Sequence, residues 1–363
     1  MFKIFIISFF ISTVAQSMVE EGHKTEESFW IHETRSEIIN LLKSRPELTI
    51  DHIKANGFEL YGPSGLEAFL QQNLIKFSRL KTFSKHFKSY PTPEAIEKDL
   101  QGIAQKYPNI TKLYSIGKSV NNRNLWVMKL SRHAKKEDKR PEFKYIANMH
   151  GDEIVGREIM LLFIKECVEN YGTDPRITNL LDKYQIHILV SMNPDGAAHF
   201  TRGNGNLVDL NRDFPDFSTS DNHDTTEKRQ PETQAVMKWQ GQHKFKLSAN
   251  FHGGAEVVNY PWDTIPDRYP EETLIKDLSR EYAFNAPYIG TSTLFENGIT
   301  NGYAWYEIDG GMQDWSIYWR GDFQVTIELS DQKWPDYSQI YYYYEQNRPA
   351  LIKFIERIDS LIK

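Results

Sequence analysis

The stretch ANMHGDEIVG, residues 147–156, ends an apolar run with an imidazole and two carboxylates. The run before it, EFKYIANM, predicts a buried strand, and the run after it, VGREIMLLFIKECVENY, predicts a long helix. A buried strand that leads directly into a helix is typical of an α/β sheet, in which sites form where strands end and loops begin. His150 and Glu153 therefore mark a candidate functional site.

Strand-like and helix-like runs alternate on both sides of this stretch, from Pro91 onward. The other strand-like runs are TKLYSIGKS, NLWVMKLS, YQIHILVSMN, FKLSANF and FQVTIELS, and the other helix-like runs are PEAIEKDLQGIAQKYP and YYYYEQNRPALIKFIERIDSLIK. This alternation predicts an α/β fold with a mixed, mostly parallel central sheet and helices on both faces. We place this domain at residues 89–363.

The first 17 residues, MFKIFIISFFISTVAQS, have the pattern of a secretory signal peptide. Lys3 gives the positive start, an apolar segment follows, and a small residue on each side of Gln16 predicts cleavage near Ser17. A membrane anchor is the alternative, but the apolar run is shorter than the roughly 20 residues that a span requires. We therefore expect a secreted or periplasmic protein without stable membrane insertion after signal removal.

Residues 18–88 predict a charged, helical N-terminal leader of unknown role. Two runs in it, SEIINLLKSRPELT and GPSGLEAFLQQNLIKF, have apolar residues at a spacing near 3.6. The leader ends in the basic stretch KTFSKHFKSYPTPE. It could be a pro-segment, a small packing subdomain or an arm that binds a partner, and the pattern does not choose among them.

The composition excludes some classes of protein. The 363 residues are 40% hydrophobic and carry a formal net charge of −6 without a basic block, which argues against nucleic acid as the main partner. Cys167 is the only cysteine, so no intramolecular disulfide can form. The protein must be stabilised by a large apolar core.

His150 and Glu153 have the H-x-x-E spacing of two metal ligands, but HKTE at residues 23–26 matches it as well. His252 makes the signal specific, because it ends a second predicted strand and is followed by two glycines. Two imidazoles and one carboxylate match a catalytic zinc site, which has three protein ligands and an open position. The residues thus predict one zinc ion per chain, although other first-row metals also accept these ligands.

The motifs around these residues resemble those of the zinc metallocarboxypeptidases, specifically the regulatory N/E branch, which includes carboxypeptidases N, E, M and D. The matching motifs are NMHGDEIVGRE, NPDG, DLNRDFPD, SANFHGG, NYPWD, NGYAWYEIDGGMQDW and TIELS, in that order along the chain. The resemblance implies a peptidase that hydrolyses the C-terminal bond of peptides or proteins. It also implies that His150, Glu153 and His252 are the zinc ligands.

The motif DLNR and the loop before it match residues that orient a ligand and hold the substrate. By resemblance, Asp209 orients the first histidine, and Asn211 with Arg212 binds the terminal carboxylate. A bidentate guanidinium suits that carboxylate well. Arg202 matches the arginine that polarises the scissile carbonyl and stabilises the oxyanion. The alternatives are a helix or turn cap for Asp209 and a solvated loop position for Arg212.

Glu328 lies in the apolar strand VTIELS, where an unpaired carboxylate is costly. The resemblance makes it the general base, which takes a proton from the attacking water and passes it to the leaving amine. A structural ion pair is the alternative. Tyr306 matches the mobile tyrosine that closes over the substrate.

Asp263 and Gln313 match positions that set specificity in the N/E branch. The resemblance implies that they bind the side chain of a C-terminal Lys or Arg, since a carboxylate in a partly desolvated pocket attracts a cation. The alternative for Asp263 is a cap of the turn DTIPD.

The sequence departs from this branch at both ends. Animal members commonly append a β-sandwich domain, which we do not find here, and the leader has no match in a branch generally made without an inhibitory pro-segment. Two other functions stay open. One is a cell-wall peptidase that releases diaminopimelate, and the other is a non-catalytic binding protein on the same fold.

Overall fold

The computed structural model describes residues 25–80, 90–136 and 138–361. The predicted signal peptide lies outside the described residues, as does most of the basic stretch that ends the leader. The described chain forms two sheets, one of four strands near the N-terminus and one of eight strands after it.

The N-terminal sheet is antiparallel, with the strand order β2-β3-β1-β4. Its elements are β1 (Glu26–Ile31), α1 (Ser36–Lys43), β2 (Thr49–Lys54), β3 (Gly57–Pro63), α2 (Leu66–Gln72) and β4 (Phe77–Arg79). The two helices pack on the sheet around a core of their own, which includes Phe29, Phe58, Leu60 and Leu70. We call residues 25–80 the N-terminal domain.

The prediction of a helical leader is therefore wrong for most of this segment. Helices α1 and α2 do form inside the two runs with helical spacing. The strands were missed because they are short and mix apolar residues with charged ones such as Glu26, Asp51 and Glu59. In β1, Phe29 and Ile31 are buried while Trp30 between them is half-buried.

The larger sheet has the strand order β11-β10-β12-β9-β7-β8-β6-β5. Its strands are β5 (Thr111–Lys118), β6 (Asn124–Leu130), β7 (Glu142–Ala147), β8 (Gln185–Leu189), β9 (Phe245–His252), β10 (Ala255–Tyr260), β11 (Ile299–Asn301) and β12 (Phe323–Ser330). The central neighbours β12, β9, β7 and β8 are parallel, and antiparallel pairs lie toward the edges. The predicted mixed α/β sheet is confirmed.

Helices surround this sheet. They are α3 (Pro93–Lys106), α4 (Val155–Asn170), α5 (Pro175–Lys183), α6 (Pro194–His199), α7 (Pro231–Gly241), α8 (Glu272–Asn285), α9 (Pro287–Gly290), α10 (Gly302–Trp305), α11 (Met312–Arg320) and α12 (Ile340–Glu356). Successive residues of β6 enter different cores: Val127 belongs to the core that includes residues of α7 and α11, whereas Met128 belongs to the core that includes residues of α4 and α12. The sheet is thus covered on both faces, as predicted.

The strand register brings the candidate residues to one edge. Strands β7, β9 and β12 run parallel, so their carboxyl ends meet. His150 follows β7, while His252 and Glu328 are paired neighbours at the ends of β9 and β12. Among the helices that the structure describes, none is long and apolar enough to cross a membrane.

Candidate active site

The loop that carries His150 and Glu153 is held by its own residues. The side-chain amide of Asn148, which has a left-handed φ of 55°, donates to the carbonyls of His150 and Glu153 at 2.8 and 3.3 Å. A Cβ on Gly151 would lie 2.1 Å from the backbone of Gly196, so only glycine fits there. The two candidate ligands are therefore fixed in place.

The three predicted ligands converge at buried positions. Nδ1 of His150 lies 3.0 Å from Nδ1 of His252, and the Glu153 carboxylate lies 3.1 and 2.9 Å from these two nitrogens. Tetrahedral zinc, with bonds of about 2.0–2.1 Å, places its ligand atoms roughly 3.3 Å apart. The donor set and its spacing therefore fit a zinc ion.

Asp209 contacts the far side of the first histidine. Its Oδ1 lies 2.9 Å from Nε2 of His150 and also accepts the backbone N–H of Asn211 at 2.8 Å. A carboxylate behind a ligating histidine fixes the tautomer that binds metal. The contact with His150 fits the predicted orienting role, and the contact with the backbone of Asn211 is the alternative cap, so one side chain makes both contacts.

Arg202 is buried in the same network. Its Nε donates to Oδ2 of Asp209 at 2.9 Å, and its Nη1 faces Glu153 at 3.3 Å. The guanidinium thus lies beside the candidate metal site, where it can donate to an oxygen that becomes negative.

Glu328 has the environment expected of a general base. Its side chain is buried, and its Oε2 has no hydrogen-bond partner within the described part of the chain. Burial, reinforced by the nearby negative charge of Glu153, raises the pKa of Glu328 to about 8. A bound cation would lower this pKa again, because it favours the charged form.

Arg212 and Asn211 line the same pocket as the three ligands. Arg212 is half-buried, and its Nη1 donates to the carbonyl of Asn211 at 3.0 Å. The side chain of Asn211 accepts the backbone N–H of Met312 at 3.0 Å. Local contacts therefore hold both side chains at the wall of this pocket.

Asp263 and Gln313 are in direct contact, as their proposed shared role requires. The amide nitrogen of Gln313 lies 3.1 Å from each carboxylate oxygen of Asp263, and Asn259 donates to Oδ1 at 3.0 Å. Burial raises the pKa of Asp263 to about 7. The buried carboxylate of Asp263 lines the same pocket as the three predicted ligands, and Gln313 contacts this carboxylate.

Asp314 supports this pair and was missed in the sequence. Its Oδ2 accepts the backbone N–H groups of Asp263 and Thr264 at 2.8 and 3.0 Å. Burial and the neighbouring Asp263 raise the pKa of Asp314 well above its usual range. Asp314 directly follows Gln313 in GGMQDW, so its place in the sequence could have indicated a role beside the specificity residues.

Asp51 of the N-terminal domain reaches into the site and was also missed. Its carboxylate accepts from Nη1 of Arg202 at 2.7 Å and from the hydroxyl of Tyr306 at 2.8 Å. Lys333, which follows β12, lies 3.5 Å from Asp51 and 3.4 Å from Glu153. No pattern in the sequence links residue 51 to these partners, because the contact depends on how two domains pack.

The N-terminal domain covers the candidate site. Backbone N–H groups of Arg202 and Gly203 donate to Glu26 at 2.7 and 3.0 Å, and Arg212 reaches the carbonyl of Ile50 at 3.4 Å. The cavity left beside the three ligands has a volume of only about 10 Å³. A groove of about 520 Å³ lies farther out, between the two domains.

The sequence profile described as zinc carboxypeptidase matches residues 96–350. This range contains every candidate residue predicted from the sequence. Carboxypeptidase SOL1 of Arabidopsis thaliana is 41% identical over 76% of this chain and 57% of that protein. Mouse carboxypeptidase M is 41% identical over 76% of the chain and 67% of its own length.

Human carboxypeptidase D is 35% identical over 97% of this chain, which spans only 26% of that longer protein. Among solved structures, carboxypeptidase A from Helicoverpa armigera superimposes with a TM-score of 0.71 at 18% identity, over 94% of this chain and 98% of that one. Residues 90–361 alone cannot reach that share, so the shared fold includes the N-terminal domain.

Proposed function

This chain belongs to the zinc carboxypeptidase family, and we propose that it removes C-terminal Lys or Arg from peptides or proteins. The observation that carries the proposal is that the buried carboxylate of Asp263, which Gln313 contacts, lines the same pocket as the three proposed metal ligands. A carboxylate in this pocket forms a charge-assisted hydrogen bond with a cationic side chain of the substrate. An apolar substrate side chain would leave the carboxylate without a partner.

The metal would be held by His150, Glu153 and His252. When bound, zinc supplies a Lewis acid that polarises a carbonyl and lowers the pKa of water. Glu328 would take a proton from the attacking water and return it to the leaving amine. Its position beside His252 across paired strands supports this role.

Arginine side chains would bind the substrate at two points. Arg212 with Asn211 would hold the terminal carboxylate, which excludes substrates without a free C-terminus. Arg202 would donate to the oxygen of the scissile carbonyl as negative charge develops. Asp209 would keep both Arg202 and His150 in position, because it contacts both.

The N-terminal domain would keep the enzyme inactive until it is displaced. The carboxylate of Asp51 accepts hydrogen bonds from Nη1 of Arg202 and from the hydroxyl of Tyr306, the two groups that we assign to substrate binding. The small cavity beside the ligands cannot admit a peptide end. We therefore favour a pro-segment over the other two roles considered for this region, and the signal pattern in residues 1–17 supports an exported enzyme.

The test is a set of peptides that differ only in the last residue, together with a cell-wall peptide that ends in diaminopimelate. After removal of the N-terminal domain, we expect release of Arg and Lys with a kcat/KM at least tenfold above that of Phe. Faster release of Phe would contradict the proposed specificity. Faster release of diaminopimelate would assign the acidic pocket to cell-wall substrates instead.

A further inference from the structure

A second group of metal-type side chains lies at the opposite end of the larger sheet. Glu142 begins β7, His187 lies in β8, and His243 lies between α7 and β9. These positions are at the amino ends of the parallel strands, whereas His150 and His252 are at the carboxyl ends. Because β7 has six residues at about 3.3 Å each, the two groups are roughly 20 Å apart.

The donor atoms of this second group are already close together. One atom from each residue lies within 4.8 Å of the other two. Nδ1 of His243 is 2.7 Å from Oε1 of Glu142, and Nε2 of His187 is 3.8 Å from the same oxygen. These distances bracket the roughly 3.3 Å expected between ligands of tetrahedral zinc, so small side-chain rotations would complete the geometry.

His187 gives a second and independent indication. Its side chain is 1% exposed, and its Nε2 has no hydrogen-bond partner among residues 25–80, 90–136 and 138–361. Its other nitrogen, Nδ1, is 2.7 Å from the hydroxyl of Tyr114, which in turn accepts from Nε1 of Trp239 at 2.9 Å. The hydroxyl of Tyr114 thus fixes the orientation of the His187 ring, as hydrogen-bond partners of ligating histidines commonly do. The other ring nitrogen, Nε2, is buried and faces Glu142.

We propose that Glu142, His187 and His243 form a second site for a divalent first-row transition metal, separate from the active site. Two imidazoles and a carboxylate suit Zn²⁺. Glu142 and His243 are about one-sixth exposed, which gives the ion a path from solvent. A bound ion would tie the starts of β7 and β8 to the turn before β9, so its role would be to stabilise the fold.

The experiment measures zinc bound to the full chain after saturation with Zn²⁺ and removal of free metal. We expect two zinc ions per chain in the wild type, and one in His243→Ala and in Glu142→Gln. His223→Ala, which removes an exposed imidazole elsewhere, should keep two. Glu153→Gln should lose the active-site ion and keep the second one.

Thermal unfolding gives a readout that is independent of activity. Zn²⁺ should raise the Tm of Glu153→Gln, and this rise should disappear when His243→Ala is added. Circular dichroism of each variant would identify a failure to fold. If only one of His243→Ala and Glu142→Gln folds, its zinc content decides the test. One zinc ion in the wild type, or two in both folded single variants, would overturn the proposal.

Discussion

The carboxylate of Asp51, in the N-terminal sheet, lies 2.7 Å from the guanidinium of Arg202 in the candidate active site. Asp51 is 2% exposed, and burial alone would raise its pKa, but Arg202, His52 and Lys333 hold that pKa well below its usual range. The domain therefore places a fixed negative charge against the arginine assigned to the substrate carbonyl.

Weakening this contact should activate the uncleaved protein. We expect Asp51→Asn to raise its kcat/KM for an Arg-terminated peptide by about tenfold or more, because a buried charge-assisted hydrogen bond contributes about 1.5–3 kcal/mol. Limited proteolysis between the two domains should raise activity further. Glu37→Gln, on the exposed face of α1, serves as the matched control and should change nothing. Equal activity before and after proteolysis would show that the domain does not inhibit.

Glu328→Gln should abolish most of the activity without loss of metal. The amide cannot accept the proton of the attacking water, and general-base catalysis contributes about 10²–10⁴-fold. We expect a fall of that size in kcat with zinc content unchanged. If the variant retained activity within a few-fold of the wild type, another residue would be the base.

Asp263→Asn should remove the preference for basic C-termini. The variant loses the charge that faces the substrate cation, so we expect kcat/KM for Arg to fall roughly 10–100-fold. Release of Met, which is uncharged and similar in length, should change little. Asp267→Asn, at an exposed position close in sequence, is the control. An equal loss for Arg and Met would indicate a structural defect and not a specificity role.

The preference for Arg should also depend on pH. Burial raises the pKa of Asp263 to about 7, so its carboxylate is protonated below that pH and charged above it. The ratio of kcat/KM for Arg to that for Met should therefore rise between about pH 6 and pH 8. Effects on Glu328 or on the metal cancel in this ratio. In Asp263→Asn the ratio should be flat, and a flat ratio in the wild type would contradict the assignment.

Much of the catalytic domain could be predicted from the sequence. The strands β7, β9 and β12 carry apolar residues at alternate or successive positions and lead into polar residues, so both their existence and their meeting edge followed from the pattern. The proposed metal ligands His150, Glu153 and His252 lie at or just after those ends. The pattern of apolar residues and the parallel direction of the strands were therefore sufficient to predict where these residues meet.

The strands of the N-terminal domain and its contacts with the active site could not be predicted from the residue pattern. Its strands are short and amphipathic, so helical spacing in α1 and α2 was the stronger local signal. The contact from Asp51 to Arg202 depends on the packing of two domains, for which residue spacing along the chain gives no guide. The same is true of Lys333, whose partners come from three separate segments.

The most direct test of the account measures release of C-terminal Arg after the N-terminal domain has been cleaved, first as purified, then after a chelator has removed all metal, and finally after Zn²⁺ is restored. If His150, Glu153 and His252 hold the ion on which hydrolysis depends, activity should disappear on metal removal and return with Zn²⁺, and His252→Ala should be inactive throughout. Undiminished release of Arg by the metal-free protein would contradict the account.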